Sequence, residues 1–327
     1  MMSRILTLII QTGDISHLRT IIRPDSFESF LIWPEIMKDI KVYDCFSYFN
    51  EDMLLELRLA TLWEYVDVFV ISEASYTHQG LDRNLLFDLE KFRKYASKIR
   101  YCPIIERPDG PNDFWRNENY VRNNVVNGLG DCTGSDYILI SDVDEIPNPD
   151  MIKLYNPKFL RGDFIQDYFA YYLNNKWVSN RTGTSNQSKK STSWLGSKIT
   201  TFDHFRKFFK SNATSVRIYK SSGPFRSIKR EWFKRTAVQR LENGGWHFTW
   251  ALSLQDIKVK MKSGAHIFDD DKYLSDAYLL GEIRSGKDFS DPEKIFAAQK
   301  LDASFPRYLV ENQDRFKKFL LDISSIG

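Results

Sequence analysis

Tyr137-Ile138-Leu139-Ile140-Ser141-Asp142-Val143-Asp144-Glu145-Ile146-Pro147 joins an unbroken apolar run to a cluster of acids. Ile138 to Ile140 read as a strand buried on both faces of a parallel sheet, since no polar residue interrupts them. If the backbone stays extended past that strand, Asp142 and Asp144 project to the same side, where together they can hold one hard divalent cation. Pro147 then stops the strand. Ligands of open α/β sheets bind beyond the carboxyl ends of the strands, so the acids sit where a nucleotide diphosphate is expected. An isolated D-x-D can also be a solvated acidic turn. The apolar strand before it and the third acid, Glu145, weigh against that alternative.

The chain has 327 residues, 42% of them hydrophobic, enough to fill a real core in one large α/β domain or two smaller ones. Lys plus Arg total 46 against 43 Asp plus Glu, and a net charge of +3 is too balanced to make nucleic acid the main partner. Aromatic content is 15%, and rings lining a cleft are suited to packing on sugars or bases. Cys45, Cys102 and Cys132 are widely spaced with no C-x-x-C pairing, so neither a disulfide framework nor a structural zinc site is indicated. A reducing, cytoplasmic setting is the simpler expectation. The apolar run from Ile5 to Ile10 is shorter than a signal-peptide core, and no transmembrane segment is expected. The glycosylation sequons at Asn180, Asn186 and Asn212 are of the kind that Ser/Thr/Asn-rich loops produce by chance.

Upstream of the acids the chain alternates. Val42 to Phe49 reads as a strand; Leu55, Leu59, Leu62 and Val66 then recur at helical spacing. Val68 to Ile71 is a second buried strand ending in Ser72-Glu73-Ala74, and Ile99 to Ile105 a third. A helix from about Asp113 to Leu129 follows, with Tyr120, Val121, Val125 and Leu129 on one face. This is the rhythm of a parallel α/β sheet with the Asp142 strand fourth, and it makes residues 41–150 a nucleotide-binding half. Residues 1–40 have mixed signals and are expected to form an extension that packs on the main domain.

Downstream the periodicity changes. Phe164 to Leu173 reads as an aromatic-rich strand, Ser179 to Ser197 as a mobile surface loop, and Arg217 to Phe225 and Trp232 to Leu241 as short strands. In Asn243-Gly244-Gly245-Trp246-His247-Phe248 a glycine pair that permits close backbone approach precedes an aromatic cluster around one histidine. Leu252 to Leu321 reads as mainly helical, with a loop over Gly281 to Pro292.

An ordered set of motifs along Lys41 to Leu321 carries a resemblance. Tyr43-Asp44-Cys45-Phe46 with Phe49-Asn50-Glu51, Val70-Ile71-Ser72-Glu73-Ala74 and Thr77-His78-Gln79-Gly80 come first. Trp115-Arg116-Asn117-Glu118 with Arg122-Asn123, Ile140 to Pro147, Asn243 to Phe248, and Pro306-Arg307-Tyr308-Leu309 with Glu311-Asn312 follow in order. The set resembles glycosyltransferase family 17, which includes the β-1,4-mannosyl-glycoprotein 4-β-N-acetylglucosaminyltransferases. The resemblance implies a type A glycosyltransferase fold: a Rossmann-like, mostly parallel central sheet with flanking helices and a helical C-terminal region. It also implies a UDP-sugar donor, UDP-GlcNAc, a divalent cation such as manganese or magnesium, a glycan acceptor bound by residues 151–327, and inversion at the anomeric carbon. The family's Golgi members carry an N-terminal membrane anchor that is not expected here, and Ser179 to Ser193 resembles an insertion; both bear on the acceptor more than on the chemistry.

Roles can be assigned on these residues. A cation held by Asp142 and Asp144 neutralises charge developing on a leaving diphosphate. His247 is expected as third metal ligand or pyrophosphate contact, the alternative being a packed core histidine. Glu73 is placed to accept hydrogen bonds from a base or ribose, or else to cap its loop through Thr77. Phe46 and Asn50 line the uracil site or simply pack at a strand end. Glu118 and Arg122, four apart on a helix, form an ordinary ion pair unless the resemblance gives them a donor-binding role. Inverting transfer needs a general base, for which Glu145, Glu242, Asp269 and Asp270 are all open. Two other readings compete: a haloacid-dehalogenase-like phosphatase, whose strand also ends in D-x-D, and a non-catalytic carbohydrate-binding protein.

Overall fold

The computed structural model describes residues 40–180, 192–220, 225–263, 275–288, 291 and 293–322. The expected extension over residues 1–40 and the tract 181–191 therefore lie outside the described residues, apart from Ile40.

Four strands make the first half of the sheet: β1 (Val42–Ser47), β2 (Val68–Ala74), β3 (Ile99–Ile104) and β4 (Tyr137–Asp142), all parallel in the order β4-β1-β2-β3. Ile138, Leu139 and Ile140 are fully buried, as an apolar run covered on both faces requires. Helix α1 (Asp52–Leu62) crosses from β1 to β2 and buries Leu54, Leu55, Leu57, Leu59 and Leu62, a pattern that wraps the helix and sinks it into the core. Helix α2 (Phe114–Asn123) starts where the Asp113 carboxylate accepts from the Arg116 backbone N–H, and it continues as a tighter 3-10 turn over Asn124–Gly128.

Beyond β4 the chain does not stay extended. Val143 and Asp144 form a turn, and a short strand β5 (Glu145–Pro147) leads into helix α3 (Pro149–Ile152). Then come β6 (Arg161–Ala170), β7 (Asn175–Asn180), β8 (Ser193–Thr201), helices α4 (Phe202–Lys207), α5 (Ala213–Arg217) and α6 (Arg226–Trp232), and strands β9 (Val238–Leu241) and β10 (Gly245–Thr249). The C-terminal part holds α7 (Leu254–Ser263), α8 (Asp276–Arg284), β11 (Lys294–Ala298), α9 (Arg307–Glu311) and α10 (Gln313–Phe316).

The expected mostly parallel sheet is mixed. β8 runs antiparallel to both β4 and β6, β7 antiparallel to β6 and β11, and β10 parallel to β6 but antiparallel to β5. Three local expectations are also corrected. Of the strand read over Arg217–Phe225, Arg217 is instead the last residue of α5, begun by the Asn212 side chain accepting from the Ser215 N–H, residues 218–220 are irregular and 221–224 lie outside the described residues; alternating Val, Ile and Tyr imitated a strand. Of Trp232–Leu241 only Val238–Leu241 is strand, and the Gly281–Pro292 loop begins inside α8. β11 interrupts the expected helical C-terminus.

Two layers of core cover the sheet. On one side Tyr43, Cys45, Val70, Ile138 and Ile140 pack against Val125, Phe205, Phe209 and Phe233. On the other, Leu54, Leu57, Ile146 and Phe169 meet Trp246, Phe248, Leu309 and Phe316. Among the described residues no helix is long and apolar enough to cross a membrane.

Candidate active site

Arg58, between Leu57 and Leu59 of α1, has no solvent exposure. Its Nε and Nη2 donate to Asp44 Oδ2 and Oδ1 at 2.7 and 2.6 Å, and its guanidinium lies 4.5 Å from the Phe46 ring centroid. The remaining Nη1 donates to the carbonyls of Asp142, Val143 and Glu145 at 3.1, 3.3 and 2.8 Å. The Phe248 N–H of β10 takes the Asp144 carbonyl at 2.9 Å, so all four consecutive carbonyls of the acidic turn are bound. A buried charge that is fully paired cannot relax, and the turn inherits that rigidity. Phe46 is therefore corrected from a uracil-lining candidate to a buried ring under Arg58.

On this frame the acids meet a set of cations. Arg122 Nη2 lies 3.2 Å from Asp142 Oδ1 and 2.6 Å from Glu118 Oε1; Arg217 Nη2 lies 3.0 Å from Asp142 Oδ2 and 2.9 Å from Glu145 Oε1. Arg217 Nη1 also pairs with Glu145 Oε2. Lys260 of α7 bridges Glu51 Oε1 at 3.2 Å and Asp144 Oδ2 at 3.5 Å. Burial works to raise the pKa values of Asp142, Asp144 and Glu145, but the cations outweigh it: Arg217 and Arg122 hold Asp142 well below the carboxylate range, Lys260 and His247 lower Asp144, and Arg217 lowers Glu145.

His247 stands on β10 opposite Glu145 of β5, and its Nε2 is 3.6 Å from Asp144 Oδ1. Tyr168 meets the imidazole edge-on at 5.0 Å and Trp194 lies 4.9 Å away. The glycines that precede it do what their spacing suggested. A Cβ on Gly245, whose φ is 116°, would come within 2.3 Å of the Ile146 carbonyl oxygen, and one on Gly244 within 2.5 Å of the Ile165 nitrogen. Trp246 and Phe248 point into the core.

Asp142, Asp144, Glu145, Glu118, Arg122 and His247 thus come together. Glu145 is corrected as a general base: buried, held ionised, it accepts from Arg217, from Trp194 Nε1 at 2.8 Å and from the Asp142 N–H at 3.2 Å. Glu73 is also turned away from the cleft. Its oxygens accept from Arg83, Tyr101 and the backbone of Leu86 and Phe87, which pins the 83–87 segment over the end of β2. Thr77 Oγ1 accepts from the Leu81 N–H, closing a local turn. Asn50 reaches Asp256 Oδ1 at 3.3 Å, while its own Oδ1 is buried without a hydrogen-bond partner. Glu242 is exposed and pairs with Arg240. Asp269 and Asp270 lie outside the described residues. Arg58, Arg217, Lys260, Glu51 and Trp194 belong to the cluster and were not singled out from sequence.

The cluster has a charge imbalance. Among the described residues, five carboxylates, Glu51, Glu118, Asp142, Asp144 and Glu145, face three fixed cations, Arg122, Arg217 and Lys260, leaving two negative charges before any contribution from His247. The excess and the ligand types, carboxylate with imidazole, fit a divalent cation. His247 Nδ1 is buried without a hydrogen-bond partner among the described residues, so nothing fixes the ring tautomer against binding through Nε2. Among the described residues no three His, Cys, Asp or Glu side chains form a ready-made ligand trio: Asp142 faces its two arginines rather than His247.

A mixed α/β sheet whose parallel half ends in a rigid acidic turn puts these acids at the carboxyl ends of the strands, where ligands of such sheets bind. The chain belongs to glycosyltransferase family 17, whose sequence profile matches residues 24–324. It is similar to the human β-1,4-mannosyl-glycoprotein 4-β-N-acetylglucosaminyltransferase, 25% identical over 306 residues that make up 86% of this chain and 55% of the human protein. The rat enzyme of that name is 24% identical over 86% of this chain and 54% of its own length. The chain thus spans about half the length of the curated relatives it matches. Among solved structures, 4-diphosphocytidyl-2C-methyl-D-erythritol synthase from Anaerococcus prevotii aligns with a TM-score of 0.35 and 11% identity, over 68% of this chain and 95% of that one. Glucosyl-3-phosphoglycerate synthase from Mycobacterium tuberculosis aligns with a TM-score of 0.32 and 11% identity, over 70% and 76%. The family match sets aside the phosphatase alternative.

Proposed function

We propose that this glycosyltransferase moves N-acetylglucosamine from UDP-GlcNAc to a glycan acceptor, with inversion and with a divalent cation, manganese or magnesium, at the acidic turn. The observation that carries the reading is the rigid Asp142–Glu145 turn at the carboxyl end of β4, where carboxylates outnumber cations by two among the described residues. The choice of sugar follows the name of the human and rat relatives.

Asp144 and His247, with Asp142, would hold the cation, which when bound supplies positive charge to the departing diphosphate. The chain's own groups do the rest. Arg58 fixes the turn, so the carboxylates need no reorganisation as charge develops. Arg122 and Arg217 keep Asp142 ionised, and Lys260 does the same for Asp144. Trp194 beside His247 offers an apolar face on which a sugar can pack. With Glu145 committed to Arg217, Asp269, Asp270 and Glu242 remain the general-base candidates of this proposal.

Calorimetry with UDP tests the metal: binding should vanish in EDTA and return with manganese, and full-strength binding in EDTA contradicts it. UDP release from UDP-GlcNAc, slow alone and faster with a panel of glycan acceptors, tests the transfer. UDP binding with no turnover under any condition would favour the non-catalytic carbohydrate-binding alternative.

A further inference from the structure

Among the α-helices of the described residues α6 alone buries none of its residues, yet it does not hang free. Phe233 and Ala237, just past its end, are buried. Phe233 stacks on Tyr219 at 4.0 Å and on Phe208 at 5.8 Å, and the Arg161 guanidinium lies 5.1 Å from its ring centroid. That contact ties the end of α6 to the core. On α6 itself Ile228 and Trp232, four apart, share one side and are 67% and 51% exposed, and Phe225, the left-handed residue just before the helix (φ 68°), is 70% exposed beside them in sequence. Large apolar side chains exposed to water on a helix that is tied to the core by the residues following it mark an interaction surface.

The charges around the stripe say what it meets. Between Phe225 and Arg235 stand Arg226, Lys229, Arg230, Lys234 and Arg235 against one acid, Glu231, which pairs with Arg235. The whole chain, by contrast, carries only +3. A short apolar stripe fringed by cations matches an anionic phospholipid surface: rings and Ile228 enter the headgroup boundary, and Lys and Arg meet the lipid phosphates. We propose that α6 docks this glycosyltransferase peripherally on anionic membranes, through Phe225, Ile228 and Trp232 with their basic fringe. The proposal is independent of the sugar donor.

Flotation of the full chain with phosphatidylcholine vesicles, with and without phosphatidylglycerol, tests it. The protein should float with the anionic vesicles, stay behind with pure phosphatidylcholine, and be released by salt. The triple variant Phe225→Ser/Ile228→Ser/Trp232→Ser changes only exposed side chains, so its melting temperature should match the parent while its partitioning falls roughly tenfold or more. Lys229→Glu/Arg230→Glu should weaken binding to anionic vesicles in the same assay. No flotation of the parent, or equal flotation of the triple variant, overturns the proposal. So does a parent that self-associates in sedimentation while ignoring vesicles, with the triple variant monomeric, because the stripe is then a contact between copies.

Discussion

Arg58 and Asp44 form a bidentate pair at 2.6 and 2.7 Å in which neither side chain reaches solvent, fourteen residues apart in sequence and one strand away from the acids of the site. The pair turns a charged side chain in a leucine-rich helix into a fixed donor for the acidic turn. Removing Arg58 alone strands Asp44 in the core.

Arg58→Met should therefore cost about 3–5 kcal/mol in urea unfolding. Combining it with Asp44→Asn should recover a good part of that loss, since no unpaired buried charge remains. A single variant within about 1 kcal/mol of the parent would show that the pair does not support the fold.

Asp144→Asn removes one carboxylate while preserving shape, and Lys260 keeps Glu51 as its partner. Transfer should fall about a hundredfold or more with little change in melting temperature. A variant that works normally, or one that no longer folds, contradicts the role given to Asp144.

His247 lies between Tyr168 and Trp194 and is buried. His247→Ala should consequently lower both UDP affinity in calorimetry and stability, the latter by about 1–3 kcal/mol. His247→Gln, which refills most of the volume, should restore stability more than affinity. Normal affinity with lowered stability would make His247 a core residue only.

Lys198 is buried on β8, 3.5 Å from Asp163 Oδ1. Burial pushes its pKa down from 10.5 to about 8 despite the raising effect of Asp163. Below pH 8 the folded and unfolded chains both hold the proton; from about 8 to 10.5 only the unfolded chain does, so this group adds stability as pH rises through that window. In Lys198→Met, where Asp163 keeps Arg161, that gain disappears. The parent should thus gain on the variant in melting temperature from pH 8 to 10.5, and parallel profiles would contradict the depressed pKa.

The parallel strands β1 to β4 were legible because their signals are local. A buried strand is a run of apolar residues, as in Ile138–Ile140, and a crossing helix has its own period. The acidic turn was legible as chemistry but not as shape, since its bend is imposed by Arg58 and by Phe248, whose positions are remote in sequence. Arg217 and Lys260 are equally remote, and no spacing rule links them to Asp142. One signal was available: an arginine between Leu57 and Leu59 in a helix apolar all round needs a buried partner. Glu73 was misassigned for a different reason. A strand-end acid looks open until a later segment, here 83–87, returns to cover it.

β10 is held from both sides, Trp246 and His247 lying opposite Ile146 and Glu145 on β5, and opposite Asp167 and Tyr168 on β6. Because side chains alternate, a slip of one residue would carry His247 into the layer of Leu54, Phe169 and Leu309 and leave Trp246 or Phe248 facing carboxylates. Both ladders would have to break for that slip to occur. The strand therefore acts as a proofreading device, in which the hydrophobic payoff for folding is released only in the alignment that also puts the imidazole beside Asp144.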